Sequence, residues 1–147
     1  FQVITHAAHR THTFRVRLHA LAILLQHPLL AEHLSIEDAA FLAEELDGCA
    51  LLLQTWKHLL ETEGITTAGI LERSRGLEYE TRLNELAAID LNIPIEAIET
   101  ELKDAITRLM KKAEDRRFRR LTSIPLSELT GKQKEIVRNY ARGRSSR

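Results

Sequence analysis

Apolar residues recur at three- and four-residue steps along most of this 147-residue chain, the spacing of one face of an α-helix. The clearest repeat runs from Cys49 to Leu60 and stops before Gly64, a residue type that commonly ends a helix. We predict this repeat to be the central core helix. A longer stripe begins after Pro94 and continues to Ala113, in a helix that we predict to run from Pro94 to about Leu121. At about 1.5 Å per residue this helix is about 40 Å long, so we expect its far end to project beyond the bundle.

Shorter apolar repeats predict further helices, with approximate bounds 13–26, 28–34, 35–46, 66–76, 79–89 and 127–142. Thr13, Ser35 and Thr66 or Thr67 have the side-chain chemistry of N-caps at the starts of three of them. Helices this short are marginal alone in water, so they must pack on one another. We predict an all-α fold, in which residues 13–93 form a bundle of short helices. The bundle is followed by a long connecting helix over 94–121. Residues 122–147 form the last helix of a C-terminal hairpin and a frayed tail, and residues 1–12 are a linker remnant.

The composition supports one folded domain with an ordinary core, since 44% of the residues are hydrophobic and 29% are charged. The low aromatic share of 5% favours helix over strand. Cys49 is the only cysteine, which excludes an internal disulfide, and we expect a buried thiol in a reducing cytoplasm. No apolar run approaches the roughly 20 residues that span a bilayer. Because the chain starts at Phe1, we expect it to be part of a larger protein.

The charges are sorted along the chain although the formal net charge is zero. Residues 1–110 carry 9 Lys and Arg against 17 Asp and Glu, whereas 111–147 carry 12 against 4. The basic run 111–120 has three interpretations: a solvated helix end, a nucleic-acid contact with Phe118 as the available stacking ring, or a surface for an acidic protein. The apolar stripe of the last helix cannot be fully covered by one neighbouring helix, which favours a protein partner.

Candidate catalytic chemistry is sparse. His6, His9 and His12 are spaced three apart, which could place imidazoles on one side of a helix, but no carboxylate completes a metal shell nearby. A flexible linker is the better interpretation of that segment. Paired acids lie on charged faces where carboxylates are normally solvated, and the glycines form no phosphate-binding loop. We therefore expect no enzyme active site, no metal and no cofactor in this chain, and a binding module instead.

Several short segments carry a resemblance to a known family. These are Leu-Leu-Gln-His-Pro at 24–28 with the short helix after it, Gly-Ile-Thr-Thr at 64–67, Ile-Leu-Glu at 70–72 and Arg-Gly at 75–76. In their order and spacing, and in the long helix followed by a hairpin, residues 13–142 resemble the C-terminal helicase-binding domain of bacterial DnaG-type DNA primase. The acidic segment 35–46 does not map on a standard element of that family.

The resemblance implies that the terminal hairpin docks on the N-terminal domain of the hexameric DnaB-type replicative helicase at the bacterial replication fork. It implies that the primer-synthesising domains lie upstream, outside this chain. By position, the docking residues are the apolar Leu126, Leu129, Ile136, Val137 and Tyr140, with Arg138 and Arg142 as rim charges. In some members the bundle also receives the acidic tail of single-strand binding protein, which here would meet Arg15 and Arg17. The alternative is a basic helical domain that binds nucleic acid directly.

Overall fold

The computed structural model describes residues 15–33, 35–62 and 64–145, and all regular structure within them is helical, which confirms the all-α fold class. The α-helices are α1 (residues 15–26), α2 (Ile36–Glu45), α3 (Ala50–Glu61), α4 (Thr67–Arg73), α5 (Glu80–Ala88), α6 (Ile98–Thr122) and α7 (Gly131–Ser145). Short 3-10 helices occur at Pro28–His33, Ile95–Ala97 and Leu126–Glu128. The predicted cap Thr13, the linker 1–12 with its three histidines, and the last two residues lie outside the described residues.

The core is centred on α1. Six consecutive residues, 20–25, are each at most 2% exposed, so the second half of this helix is apolar and enclosed on all sides. The helix predicted to be central, α3, instead lines the core with one face through Leu52, Trp56 and Leu59, while its other face is exposed. The apolar face of α6 continues the core as far as Ala113, its last member along that helix.

Two of the predicted N-caps are confirmed by their hydrogen bonds. The Ser35 hydroxyl accepts a hydrogen bond from the Asp38 backbone N–H at 3.1 Å, at the start of α2. The Thr66 hydroxyl accepts one from the Gly69 N–H at 3.1 Å, at the start of α4. Each cap satisfies one of the backbone donors that the first turn of a helix leaves without a partner.

Two predicted helix starts are displaced. The long helix begins at Ile98 instead of Pro94, because residues Ile95–Ala97 form a 3-10 turn first. The last helix begins at Gly131 instead of Ser127. There Leu126–Glu128 form another 3-10 turn, and Thr130 and Gln133 then cap α7 by exchanging side-chain to backbone hydrogen bonds at 3.0 and 3.1 Å.

We predicted that the far end of α6 projects beyond the bundle, and this is wrong as far as Arg120, because the helix contacts the bundle up to that residue. Arg120 forms an ion pair with Glu45, the last residue of α2. Arg116 lies 3.7 Å from the carboxylate of Asp47, and the Arg117 guanidinium lies 4.6 Å from the centre of the Phe41 ring. The acidic segment 35–46 is therefore the element against which the basic half of α6 packs.

Candidate functional site

The end of α6 and α7 form a helical hairpin with its own apolar contacts. The rings of Phe118 on α6 and Tyr140 on α7 lie 4.7 Å apart between centroids, with an interplanar angle of 33°. Leu121 and Leu129, on either side of the turn, are 2% and 7% exposed but belong to no part of the main core. The hairpin therefore has a small apolar cluster of its own.

The structure places the predicted docking residues in three environments. Leu126 lies in the turn and is 70% exposed, whereas Leu129 is buried in the hairpin itself. Three half-buried side chains lie together on one side of α7: Ile136, then Val137 one residue later and Tyr140 four residues later. The two predicted rim charges, Arg138 and Arg142, are exposed. All these residues lie on the hairpin, and two of them, Leu129 and Tyr140, also contribute to its internal packing.

The exposed side of α7 is positively charged. Lys132, Lys134, Arg138 and Arg142 are all exposed, against one acidic residue in the same stretch, Glu135. An apolar strip with cations at its edge is the usual composition of a docking surface for an acidic partner. On docking surfaces of this composition, cations mainly set the approach and orientation, and apolar residues supply most of the affinity.

The two arginines predicted to bind the acidic tail, Arg15 and Arg17, lie in different environments. Arg15 is exposed. Arg17 donates a hydrogen bond to the backbone carbonyl of Asp47 at 2.7 Å and lines a pocket of about 380 Å³. Its lining residues are Arg17, Leu18, Leu21, Gly48, Leu51, Leu52, Glu78, Tyr79 and Arg82. Sequence reasoning missed Arg82, which comes from α5, and the spacing of Tyr79 and Arg82 on one helical face was the available signal.

The titratable groups of the described chain show no catalytic arrangement. Burial raises the pKa of the Cys49 thiol to about 11, and the nearby Arg17 opposes the shift by less, so this residue is a neutral thiol at pH 7. The imidazoles of His19 and His33 each lie 3.4 Å from a surface glutamate, Glu101 and Glu99. No group of three or more His, Cys, Asp or Glu side chains within the described ranges could hold a metal ion. None of the helices in those ranges is long and apolar enough to cross a membrane.

A helical bundle that carries an apolar, cation-rimmed hairpin defines a protein-docking module. The sequence matches the DNA primase DnaG DnaB-binding family over residues 18–139. The chain belongs to this family, and its function is to bind the DnaB-type helicase. The match confirms both the family resemblance and the helicase partner predicted from the sequence.

Among solved structures, the chain is similar to the C-terminal domain of DnaG primase from Vibrio cholerae. The TM-score is 0.73 at 21% sequence identity, over 84% of this chain and 94% of that one. At this identity the likeness shows a shared fold. No curated protein sequence matches the chain.

Proposed function

We propose that the hairpin of α6 and α7 is the surface through which this domain holds the helicase. The observation that carries the proposal is the 70% exposure of Leu126 at the tip of the hairpin. Beside it, α7 presents the half-buried side chains of Ile136, Val137 and Tyr140 within a cationic rim. Exposed apolar patches rimmed by polar residues mark protein interaction surfaces, and tyrosine and arginine side chains are among the residues that most often anchor them.

The domain's role in the parent protein follows from this docking. We propose that a primase active site, located upstream in the parent and outside this chain, is tethered to the helicase by the hairpin. Primer synthesis then takes place in the bacterial cytoplasm at the replication fork. The docking itself consists of apolar and ionic contacts and uses no cofactor.

Direct nucleic-acid binding by the basic run is disfavoured by the contacts of that run. Its six cations are Lys111, Lys112, Arg116, Arg117, Arg119 and Arg120, and three of them contact α2 or the loop after it. Cations that already pair with carboxylates and an aromatic ring release fewer counterions from phosphates. These contacts commit three of the six cations to packing within the domain, and the family match gives the domain a protein partner.

Replacing Leu126 with Ser tests the hairpin proposal. We expect about tenfold weaker binding to the helicase, because one apolar anchor worth about 1.5 kcal/mol no longer leaves water. The measurement is calorimetric titration of the chain into the DnaB-type helicase of the same organism. The matched control is Leu29→Ser, since Leu29 is 83% exposed and also lies in a 3-10 helix, outside the hairpin. Equal losses for both variants, or none for Leu126→Ser, would contradict docking through the hairpin tip.

We also propose that the pocket of Arg17 and Arg82 receives the acidic tail of single-strand binding protein. The pocket combines two arginines and one glutamate, Glu78, with leucine side chains and Tyr79, and this excess of positive charge beside apolar residues suits a peptide with carboxylates and an apolar end. The hydrogen bond from Arg17 to the Asp47 carbonyl holds its guanidinium in place. A fixed cation loses little side-chain entropy when a carboxylate binds.

Replacing Arg82 with Gln tests this second proposal. We expect the tail peptide to bind about tenfold more weakly, since a charge-assisted hydrogen bond of about 1.5 kcal/mol is removed. Fluorescence anisotropy of a labelled synthetic tail peptide measures the change. Arg75→Gln is the control, because Arg75 is 73% exposed on its side chain and lies outside the pocket lining. Unchanged binding of the peptide to the Arg82 variant would exclude this pocket.

A further inference from the structure

A buried carboxylate lies where α2 meets α6. Glu45, the last residue of α2, is 5% exposed, and its carboxylate accepts a hydrogen bond from the guanidinium of Arg120. A buried charge is costly unless a partner compensates it, so Glu45 strongly favours arrangements that keep Arg120 beside it. Its neighbour Glu44 is exposed, which confines this constraint to one of the two adjacent glutamates.

The position of Arg120 on α6 gives the ion pair a mechanical consequence. The main core ends at Ala113 along α6, so the following two turns are held to the bundle by Arg116, Arg117 and Arg120. Arg120 is the last of these contacts and lies two residues before the end of α6. Since the Phe118 and Tyr140 rings tie α7 to the same part of α6, any swing of α6 there would carry α7 with it.

The three contacts are not equally strong. Asp47 is 97% exposed on its side chain, and an exposed ion pair contributes little because water screens it. The contact between Arg117 and the Phe41 ring lies near the surface, where such interactions are modest. The pair joins the Glu45 carboxylate, 4% exposed, to the half-exposed Arg120, so its loss leaves a buried charge without its partner and causes the largest imbalance of the three.

We propose that Glu45 is a positioning residue for helicase docking: through Arg120 it holds the α6 and α7 hairpin at a fixed angle to the bundle. The inference rests on the proposed function of the hairpin. When the hairpin is already held in the orientation that the helicase binds, no binding free energy is lost in selecting that orientation. If release of the pair lets only a tenth of the molecules keep that orientation, the apparent affinity falls about tenfold.

The test compares Glu45→Gln with Glu44→Gln, the same change at the exposed neighbour. Spin labels on cysteines at Gln54 of α3 and Asn139 of α7, both exposed, report the distance between bundle and hairpin. All variants carry Cys49→Ala so that the labels are unique, and all span the full chain. Calorimetric titration into the helicase measures affinity. We expect Glu45→Gln to broaden the distance distribution and to weaken binding about tenfold, whereas Glu44→Gln leaves both as in the parent.

Each other outcome has a definite meaning. An unchanged distance distribution in folded Glu45→Gln overturns the proposal that Glu45 fixes the angle of the hairpin. A broadened distribution with unchanged affinity overturns the role of that angle in docking. Should Glu45→Gln lose helicity by circular dichroism, the double variant Glu45→Gln/Arg120→Gln leaves no charge unpaired and gives the same two readouts against Glu44→Gln/Arg119→Gln. Helicase binding that survives removal of α7 would refute the proposed function instead. The distance distribution of the full chain would still show whether Glu45 fixes the angle of the hairpin.

Discussion

A chain that ends at Thr122 is expected to lose at least about 100-fold in affinity for the DnaB-type helicase and to keep its bundle folded. The loss is large because the truncation removes the tip leucine, the apolar strip of α7 and its whole cationic rim together, and a few anchors carry most of the energy of an interface. The bundle should survive because the main core contains no residue after Ala113. Calorimetric titration gives the affinity, and thermal melting by circular dichroism reports the bundle.

The control for this truncation is the full chain carrying Lys134→Ala, an exposed change on α7 that leaves the apolar strip intact. We expect it to alter the salt dependence of binding more than the affinity. If the truncated chain binds as tightly as the full one, the helicase site lies on the bundle and the hairpin proposal is wrong. A truncated chain that melts tens of degrees lower would instead show that α7 supports the bundle, contrary to the contacts seen.

Helix type and order could be predicted from the sequence because they depend on local signals. Apolar spacing and the caps at Ser35 and Thr66 act within one or two turns, and both caps form as predicted. The start of α7 was misplaced although its signal was present. Thr130 and Gln133 have the spacing of a capping box, whereas Ser127, the predicted start, lies in the 3-10 turn before the helix.

Long-range pairings could not be predicted, since a single sequence carries no information on which faces meet. Glu45 and Arg120 are 75 residues apart in the sequence. Their contact shows what the acidic segment 35–46 packs against and why the far half of α6 does not project. The enclosure of α1 was missed for a related reason. A stripe at helical spacing identifies one apolar face, while burial on all sides depends on how many other helices pack around it.

The candidate site was predictable at the level of the element and less so at the level of the side chain. The resemblance to the primase family predicts that the hairpin is the docking element, and the family match confirms helicase binding as the function of the domain. Whether a given leucine faces solvent or the hairpin interior depends on turn geometry. The 3-10 turn at Leu126–Glu128 exposes Leu126, and the extended backbone at Leu129 (φ −78°, ψ 139°) accompanies the burial of that side chain.

Replacing Trp56 with Ala is expected to lower the free energy of unfolding by about 3–5 kcal/mol, the usual cost of emptying a buried tryptophan site. Trp56 is fully buried, and its indole N–H donates a hydrogen bond to the Ala31 carbonyl at 2.9 Å, which joins α3 to the 3-10 helix Pro28–His33. Urea unfolding followed by circular dichroism measures the change. Leu60→Ala, on the same helix but 43% exposed, should cost under about 1 kcal/mol.

Trp56→Phe separates packing from hydrogen bonding at the same position. It keeps most of the apolar volume but leaves the carbonyl of Ala31, itself 3% exposed, without its donor, so we expect a loss of about 1–3 kcal/mol. A Trp56→Ala variant that costs less than its Phe counterpart would contradict the packing argument. Because Trp56 lies in the core and not in the hairpin, folded Trp56→Ala molecules should bind the helicase with the parent's affinity. Changes in the bundle would then lower the stability, and changes in the hairpin would lower the affinity for the helicase. This separation is expected if the bundle carries the hairpin as a distinct docking element.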